Sequence, residues 1–199
     1  VIADPLRIGA MISGSGRTVA NLAERIRLDG IPAEIVAVVA HREDLPGVEL
    51  CRKAGLPVSI ESAAPAETLA DRIDARLEAA GVELVCLCGY LRRFRVTPRW
   101  SGRAVNIHPS LLPAFGGRGF HGRRVHEAVL AAGCRESGCS VHFATDEYDA
   151  GPLLLQRRCP VRADDTPESL AERVFAEERE ALPEAIRRLA SARFLPAVR

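Results

Sequence analysis

Between residues 7 and 107 short apolar runs alternate with helical stretches, and this alternation constrains the fold more than any other feature of the chain. Arg7–Ile12 is a buried-strand pattern followed by the glycine-rich Ser13-Gly14-Ser15-Gly16. A helix from about Thr18 places Val19, Leu22, Ala23 and Ile26 at 3/4 spacing. Ile35–Val39 is the second strand, and Val48–Ala54 a helix that stops at Gly55. Pro57–Ile60 is a short third strand, followed by a helix over Ala66–Ala80 that closes at Gly81. Leu84–Leu87 and Ala104–Ile107 supply the fourth and fifth strands. Strands separated by helices imply parallel pairing through right-handed crossovers.

Beyond Pro113 the pattern changes. Gly116, Gly117, Gly119 and Gly122 make a flexible loop, and Val125–Ala132 reads as a helix. Cys139–Ala144 and Leu153–Cys159 alternate around Gly151-Pro152, as two neighbouring antiparallel strands would. Thr166 at the N-cap, Pro167 at the first helical position and Glu168 in the first turn open the last helix. Leu170, Val174, Leu182 and Ile186 form its apolar face. The expected fold is a single α/β domain over residues 1–199. Its sheet is open, Rossmann-like and mostly parallel, with helices on both faces and an antiparallel C-terminal strand pair.

The 27 basic and 26 acidic residues nearly balance, which disfavours a nucleic-acid or membrane surface. No run approaches the roughly 20 apolar residues needed to cross a bilayer, and the N-terminus lacks a secretory pattern. The six cysteines form no CxxC pair, so reduced structural thiols in a cytoplasmic protein are expected. Cys134 and Cys139 flank an expected turn and are the pair to watch. No ligand spacing supports a metal.

The chemistry concentrates at Asn106-Ile107-His108-Pro109-Ser110-Leu111-Leu112-Pro113. Period-two alternation puts Asn106 and His108 on the same side of the fifth strand. An amide there can hydrogen-bond a developing oxyanion, and an imidazole can exchange a proton near neutral pH. In open α/β sheets ligands sit beyond the carboxyl ends of the strands, where this pair and the Gly14–Thr18 turn both lie. The turn can hold an anion on helix-start N–H groups. It lacks the lysine of a nucleotide-binding glycine loop. Strand two ends in Ala40-His41 rather than in an acid, so a phosphate monoester fits better than a dinucleotide. Asp149 follows the strand that carries His142 and could orient His108 or a water. His142 by itself reads as a packed strand residue, and His41 and His126 as surface or helix residues.

Asn106–Pro113, Ser140-Val141-His142-Phe143, Asp149-Ala150-Gly151-Pro152 and Gln156 together resemble the folate-dependent formyltransferase family over nearly the whole chain. The resemblance is strongest to the members that act on glycinamide ribonucleotide. It implies transfer of the formyl group from 10-formyltetrahydrofolate, a co-substrate, to the substrate amine in de novo purine biosynthesis. Asn106, His108 and Asp149 match the family's catalytic trio. Gly16, Arg17 and Thr18 match the loop on the substrate phosphate, and Glu178 matches the acid near the glycinamide end. Leu91, Arg92, Arg93 and Phe94, with Thr145, Asp146, Glu147 and Tyr148, match segments lining the folate pocket.

Three departures stand out. Arg17-Thr18 replaces a frequent Ser-Asn pair, Glu67 or a neighbour lies where the family can place an arginine against the folate tail, and the Gly116–Arg124 loop is long, with no role assigned to His121. The trio implies Asn106 and protonated His108 on the oxyanion, with Asp149 raising the His108 pKa. Formyltetrahydrofolate deformylase and methionyl-tRNA formyltransferase share much of the pattern. The first usually adds an N-terminal module and the second a C-terminal domain, so a chain of this span points to the glycinamide ribonucleotide members. A deformylase and a non-catalytic folate- or phosphate-binding module are the alternatives. Small-molecule partners are expected; oligomeric state is open.

Overall fold

The computed structural model describes residues 4–62 and 66–192, excepting the side chains of residues 66 and 67. A seven-stranded sheet runs in the order β3-β2-β1-β4-β5-β6-β7. Its strands are β1 (Leu6–Ile12), β2 (Ala33–Ala40), β3 (Val58–Ile60), β4 (Leu84–Leu87), β5 (Ala104–His108), β6 (Glu136–Phe143) and β7 (Leu153–Pro160). Strands β1 to β5 are parallel. Strand β6 pairs antiparallel with both β5 and β7, so β7 returns to the common direction and β6 alone runs against it.

The helices are α1 (Arg17–Leu28), α2 (Pro46–Lys53), α3 (Ala66–Ala79), α4 (Arg123–Ala131) and α5 (Pro167–Ala192). Period-two alternation along the strands divides the core between the sheet's two faces. Ile8, Ala10 and Ile12 join Val19 and Leu22 of α1, Val48 of α2, Val129 of α4 and Leu170, Val174, Leu182 and Ile186 of α5. Met11, Val39 and Val85 point the other way, onto Leu69, Ile73 and Leu77 of α3 and the fully buried Trp100. Four helices thus cover one face, while α3 and the turn around Trp100 cover the other. The Trp100 indole N–H donates to Asp74 at 2.6 Å, which satisfies its one polar atom.

A reciprocal cap opens α5: Ser169 N–H donates to Thr166 Oγ1 at 3.2 Å, and Thr166 N–H to Ser169 Oγ at 2.9 Å. Polar contacts zip this long helix along α1. Asn21 Nδ2 donates to the Arg179 carbonyl at 2.9 Å, Arg25 pairs with Glu180 at 2.5 Å, and Arg187 reaches Asp29 at 3.3 Å.

Two local expectations change. Strand β6 begins at Glu136, three residues before the expected start, so Cys139 lies within the strand rather than at a turn. At Gly138 a Cβ would stand 2.0 Å from the Arg157 carbonyl oxygen, and only glycine lets β6 and β7 close there. Helix α2 starts at Pro46, with proline in the first turn where its missing N–H costs little.

Candidate active site

Strand β5 and its neighbours bring Asn106, His108, His142 and Asp149 together. Antiparallel register sets His142 directly opposite Asn106 and Ser140 opposite His108. Asn106 Nδ2 lies 3.2 Å from Asp149 Oδ1 and 3.1 Å from His142 Nε2. His142 Nδ1 sits 2.9 Å from the Phe143 carbonyl, which can only accept, so Nδ1 carries the hydrogen and Nε2, when it carries none, accepts from Asn106. That tautomer fixes the Asn106 amide, with its donor side turned toward Asp149. Both bonds lie at the long end of the range, so an oxyanion could compete for this donor.

His108 is 4% exposed. Its Nε2 stands 2.8 Å from the Phe115 carbonyl, and its Nδ1 stands 3.5 Å from Asp149 Oδ2. The carbonyl again assigns the hydrogen, here to Nε2. Nδ1 is therefore the basic atom, and a proton arriving there meets a carboxylate. Burial lowers the His108 pKa below its ordinary value, and the Asp149 charge only partly opposes this. The expectation of a raised pKa is corrected: desolvation outweighs the attraction, and the ring is mainly neutral at pH 7.

Asp149 occupies the left-handed region at φ 56°. Burial pushes its carboxyl up, but the His142 side chain, the His108 charge and the Gly117 N–H outweigh burial and hold it below the usual range. The Gly117 N–H donates to Oδ2 at 2.9 Å, tying the glycine-rich loop to this carboxylate.

Ser140 and Gln156 brace the segment after His108. Ser140 Oγ donates to the Ser110 carbonyl at 2.6 Å and accepts from Leu112 N–H at 3.0 Å. Gln156 Nε2 reaches both the Leu112 carbonyl and Ser140 Oγ at 2.9 Å. These bonds satisfy backbone groups of Ser110 and Leu112, which lie beyond the end of β5.

A cavity of about 590 Å³ opens along the carboxyl edge of the sheet. Its wall includes Asn106, His108, His142 and Asp149, the turn residues Gly14, Ser15, Gly16 and Thr18, and Glu178 of α5. Residues 91–94 and 145–148 line it as expected from sequence, and loop residues 117–122 border it. Leu91, Tyr148 and Phe120 remain exposed at the wall, an apolar surface suited to an aromatic ligand. Arg93 faces Asp146 across the two segments at 3.6 Å. The Leu91 N–H donates to Ser13 Oγ at 3.0 Å, joining one segment to the turn after β1.

Arg17 departs from its expected place and is absent from the cavity wall. Its guanidinium holds Glu172 through two 2.9 Å bonds and lies 4.0 Å over the Phe175 ring. The acid one turn along α5 takes the charge expected to face a phosphate. Gly16 caps α1 at φ 70° with no side-chain cap, and no acid stands in the first turn. The first N–H groups of α1 are thus left for an anion. Burial raises the Glu178 carboxyl to about 7, against the pull of Arg17.

The formyl transferase family model matches residues 6–186. The chain belongs to the formyl transferase family. It is 38% identical to a solved glycinamide ribonucleotide transformylase 1 from Symbiobacterium toebii, with a TM-score of 0.88 over 96% of this chain and 90% of that one. It is also 38% identical to the chloroplastic phosphoribosylglycinamide formyltransferase of Arabidopsis thaliana over 86% of this chain, and 36% identical to the trifunctional purine biosynthetic protein adenosine-3 of Gallus gallus over 94%. The chain spans 61% of the Arabidopsis protein and 18% of the chicken protein.

In this formyl transferase the structure gathers Asn106, His108, Asp149, Gly16, Thr18, Glu178 and both folate-segment predictions on one cavity. The side chain of Glu67 lies outside the described residues. The reading of His142 as only a packed strand residue is incomplete, because it is buried and also orients Asn106. His126 is the helix residue expected, on α4, with its side chain buried. His121 borders the cavity from the glycine loop. Among the described residues no helix is long and apolar enough to cross a membrane. All six cysteines are free.

Proposed function

We propose that this formyl transferase moves the formyl group of 10-formyltetrahydrofolate to the amine of glycinamide ribonucleotide, a step of de novo purine synthesis. The observation that carries the reading is the convergence of Asn106, His108 and Asp149 with an uncapped helix start and Glu178 on one cavity wall. The names of the similar proteins from Symbiobacterium and Arabidopsis agree with it.

The residues suit both ligands. Leu91, Phe94 and Tyr148 supply an apolar wall with Arg92 and Arg93 beside it, which fits an aromatic folate with an anionic tail. The turn at Gly14–Thr18 suits the ribonucleotide phosphate through backbone donors. Glu178, with its pKa near 7, can accept a hydrogen bond from the glycinamide end. Asn106 Nδ2 donates to the developing oxyanion. His108 Nδ1 takes the proton released as the amine attacks, and Asp149 stabilises the imidazolium that results. Returned from Nδ1, the same proton can reach the departing nitrogen. No metal enters this scheme. The free thiols fit a reducing compartment, and we place the protein in the cytoplasm on that ground.

Incubating the protein with 10-formyltetrahydrofolate, with and without glycinamide ribonucleotide, tests the proposal. Tetrahydrofolate release should depend on the ribonucleotide. Release at the same rate without it would assign a hydrolase.

A further inference from the structure

Gly47, far from Gly16 in sequence and outside the cavity wall, packs directly against Gly16 in the turn after β1. A Cβ on Gly16 would stand 2.7 Å from Gly47 Cα. A Cβ on Gly47 would stand 2.6 Å from the Gly14 carbonyl oxygen, 2.7 Å from Gly16 N and 2.9 Å from Gly16 Cα. These neighbours are backbone atoms, which cannot swing aside as a side chain can. The Gly47 N–H donates to the Gly14 carbonyl at 3.0 Å. Gly47 follows Pro46 at the start of α2, so this N–H is one that the helix itself leaves unpaired.

The bond has an electrostatic consequence for the turn. A carbonyl oxygen facing an anion repels it, whereas an N–H attracts it. By taking the Gly14 oxygen, the α2 start holds that dipole toward the helix and away from the cavity. Close packing of the two glycines then fixes where the first N–H groups of α1 point. Two helix starts therefore meet at one turn, one facing the cavity and the other bracing it from behind.

We propose that Gly47 is a positioning residue for the phosphate-bearing substrate. It sets the anion-binding geometry of the Gly14–Thr18 turn from outside the site and leaves the formyl-donor half of the cavity untouched. The inference rests on the reading of that turn as a phosphate site.

The test is Gly47→Ala, with Lys53→Ala on the exposed side of the same helix as control. Gly47→Ala should raise the KM for glycinamide ribonucleotide at least tenfold, with the KM for 10-formyltetrahydrofolate within twofold of wild type. Inhibition by inorganic phosphate should weaken in parallel, and Lys53→Ala should leave each value within twofold of wild type. Equal weakening toward both substrates would reduce Gly47 to a packing residue and overturn the inference. A wild-type protein inactive toward the ribonucleotide would instead sink the functional reading.

If Gly47→Ala does not fold, amide hydrogen exchange on the wild-type protein decides the matter. Inorganic phosphate should slow exchange of the Gly47 N–H, and 10-formyltetrahydrofolate should not. Exchange indifferent to phosphate would overturn the inference.

Discussion

The two ends of the cavity are built from different materials. At the β5–β6 end the groups we propose to act are side chains: an amide, two imidazoles and a carboxylate, each oriented by a partner 2.8–3.5 Å away. At the β1–α1 end they are backbone N–H groups, positioned by glycines packed against glycine. The difference teaches where each end can tolerate change. A side-chain network fails when a functional group is removed, even if the shape survives. A backbone cradle is indifferent to many side chains and fails when a Cβ is added.

The strongest challenge to this contrast is to delete single groups from the side-chain end. His108→Ala, Asn106→Ala and Asp149→Ala should each lower kcat by about 10² or more with cooperative melting retained. A folded His108→Ala protein with near wild-type turnover would remove Nδ1 from the mechanism.

The matching operation at the backbone end is an addition. Gly16→Val meets two penalties, a left-handed φ of 70° and the 2.7 Å approach to Gly47 Cα. It should destabilise the fold by about 1–3 kcal/mol through backbone strain. In the folded fraction it should raise the KM for the ribonucleotide more than that for the folate. A melting curve and both KM values check this, and a variant that melts like wild type would contradict the packing described.

Glu178 lies between the two regimes, a side chain facing the backbone end. Its native carboxyl keeps a proton to about pH 7, whereas an ordinary glutamate loses it near 4.5. Between those values unfolding releases a proton, so this group's contribution to stability is full below pH 4.5 and is lost as pH rises through 7. Glu178→Gln should therefore melt higher than wild type at pH 8, with the two converging at acidic pH. The same variant should bind the ribonucleotide more weakly. Parallel melting-against-pH curves would refute the assignment of this proton.

The smallest effect belongs to Arg17. Its exposed pair with Glu172 is worth about 0–1 kcal/mol, with a further ~0.5–1 kcal/mol from its place over Phe175. Arg17→Ala should lower the melting temperature slightly and leave the ribonucleotide KM within about threefold, because the backbone N–H groups remain. A loss as large as that of Gly16→Val would show that Arg17 leaves Glu172 for the phosphate, and the contrast between the two ends would break.

Much of this site was legible because chemistry and pattern coincided. Asn106 and His108 share a side by period two, and the glycine turn sits between a strand and a helix. His142 was not legible as an orienting residue, because nothing local reveals that it stands across from Asn106; only the β5–β6 register does. Gly47 was hidden for the same reason, since no local pattern distinguishes a glycine after a helix-opening proline from any other. The Arg17 contact was misplaced because its partner, Glu172, lies 155 residues away on α5.

The sequence alone determined the order of elements, the parallel frame and the residue types available for catalysis. These follow from hydrophobic period and turn chemistry, which act over a few residues. Only the tertiary structure decided the state of each group. Burial lowers the His108 pKa against the pull of Asp149, carbonyls at Phe115 and Phe143 choose the imidazole tautomers, and the start of α2 turns the Gly14 carbonyl outward. Desolvation and hydrogen-bond direction depend on which distant segments the sheet brings together, and no stretch of chain carries that information by itself.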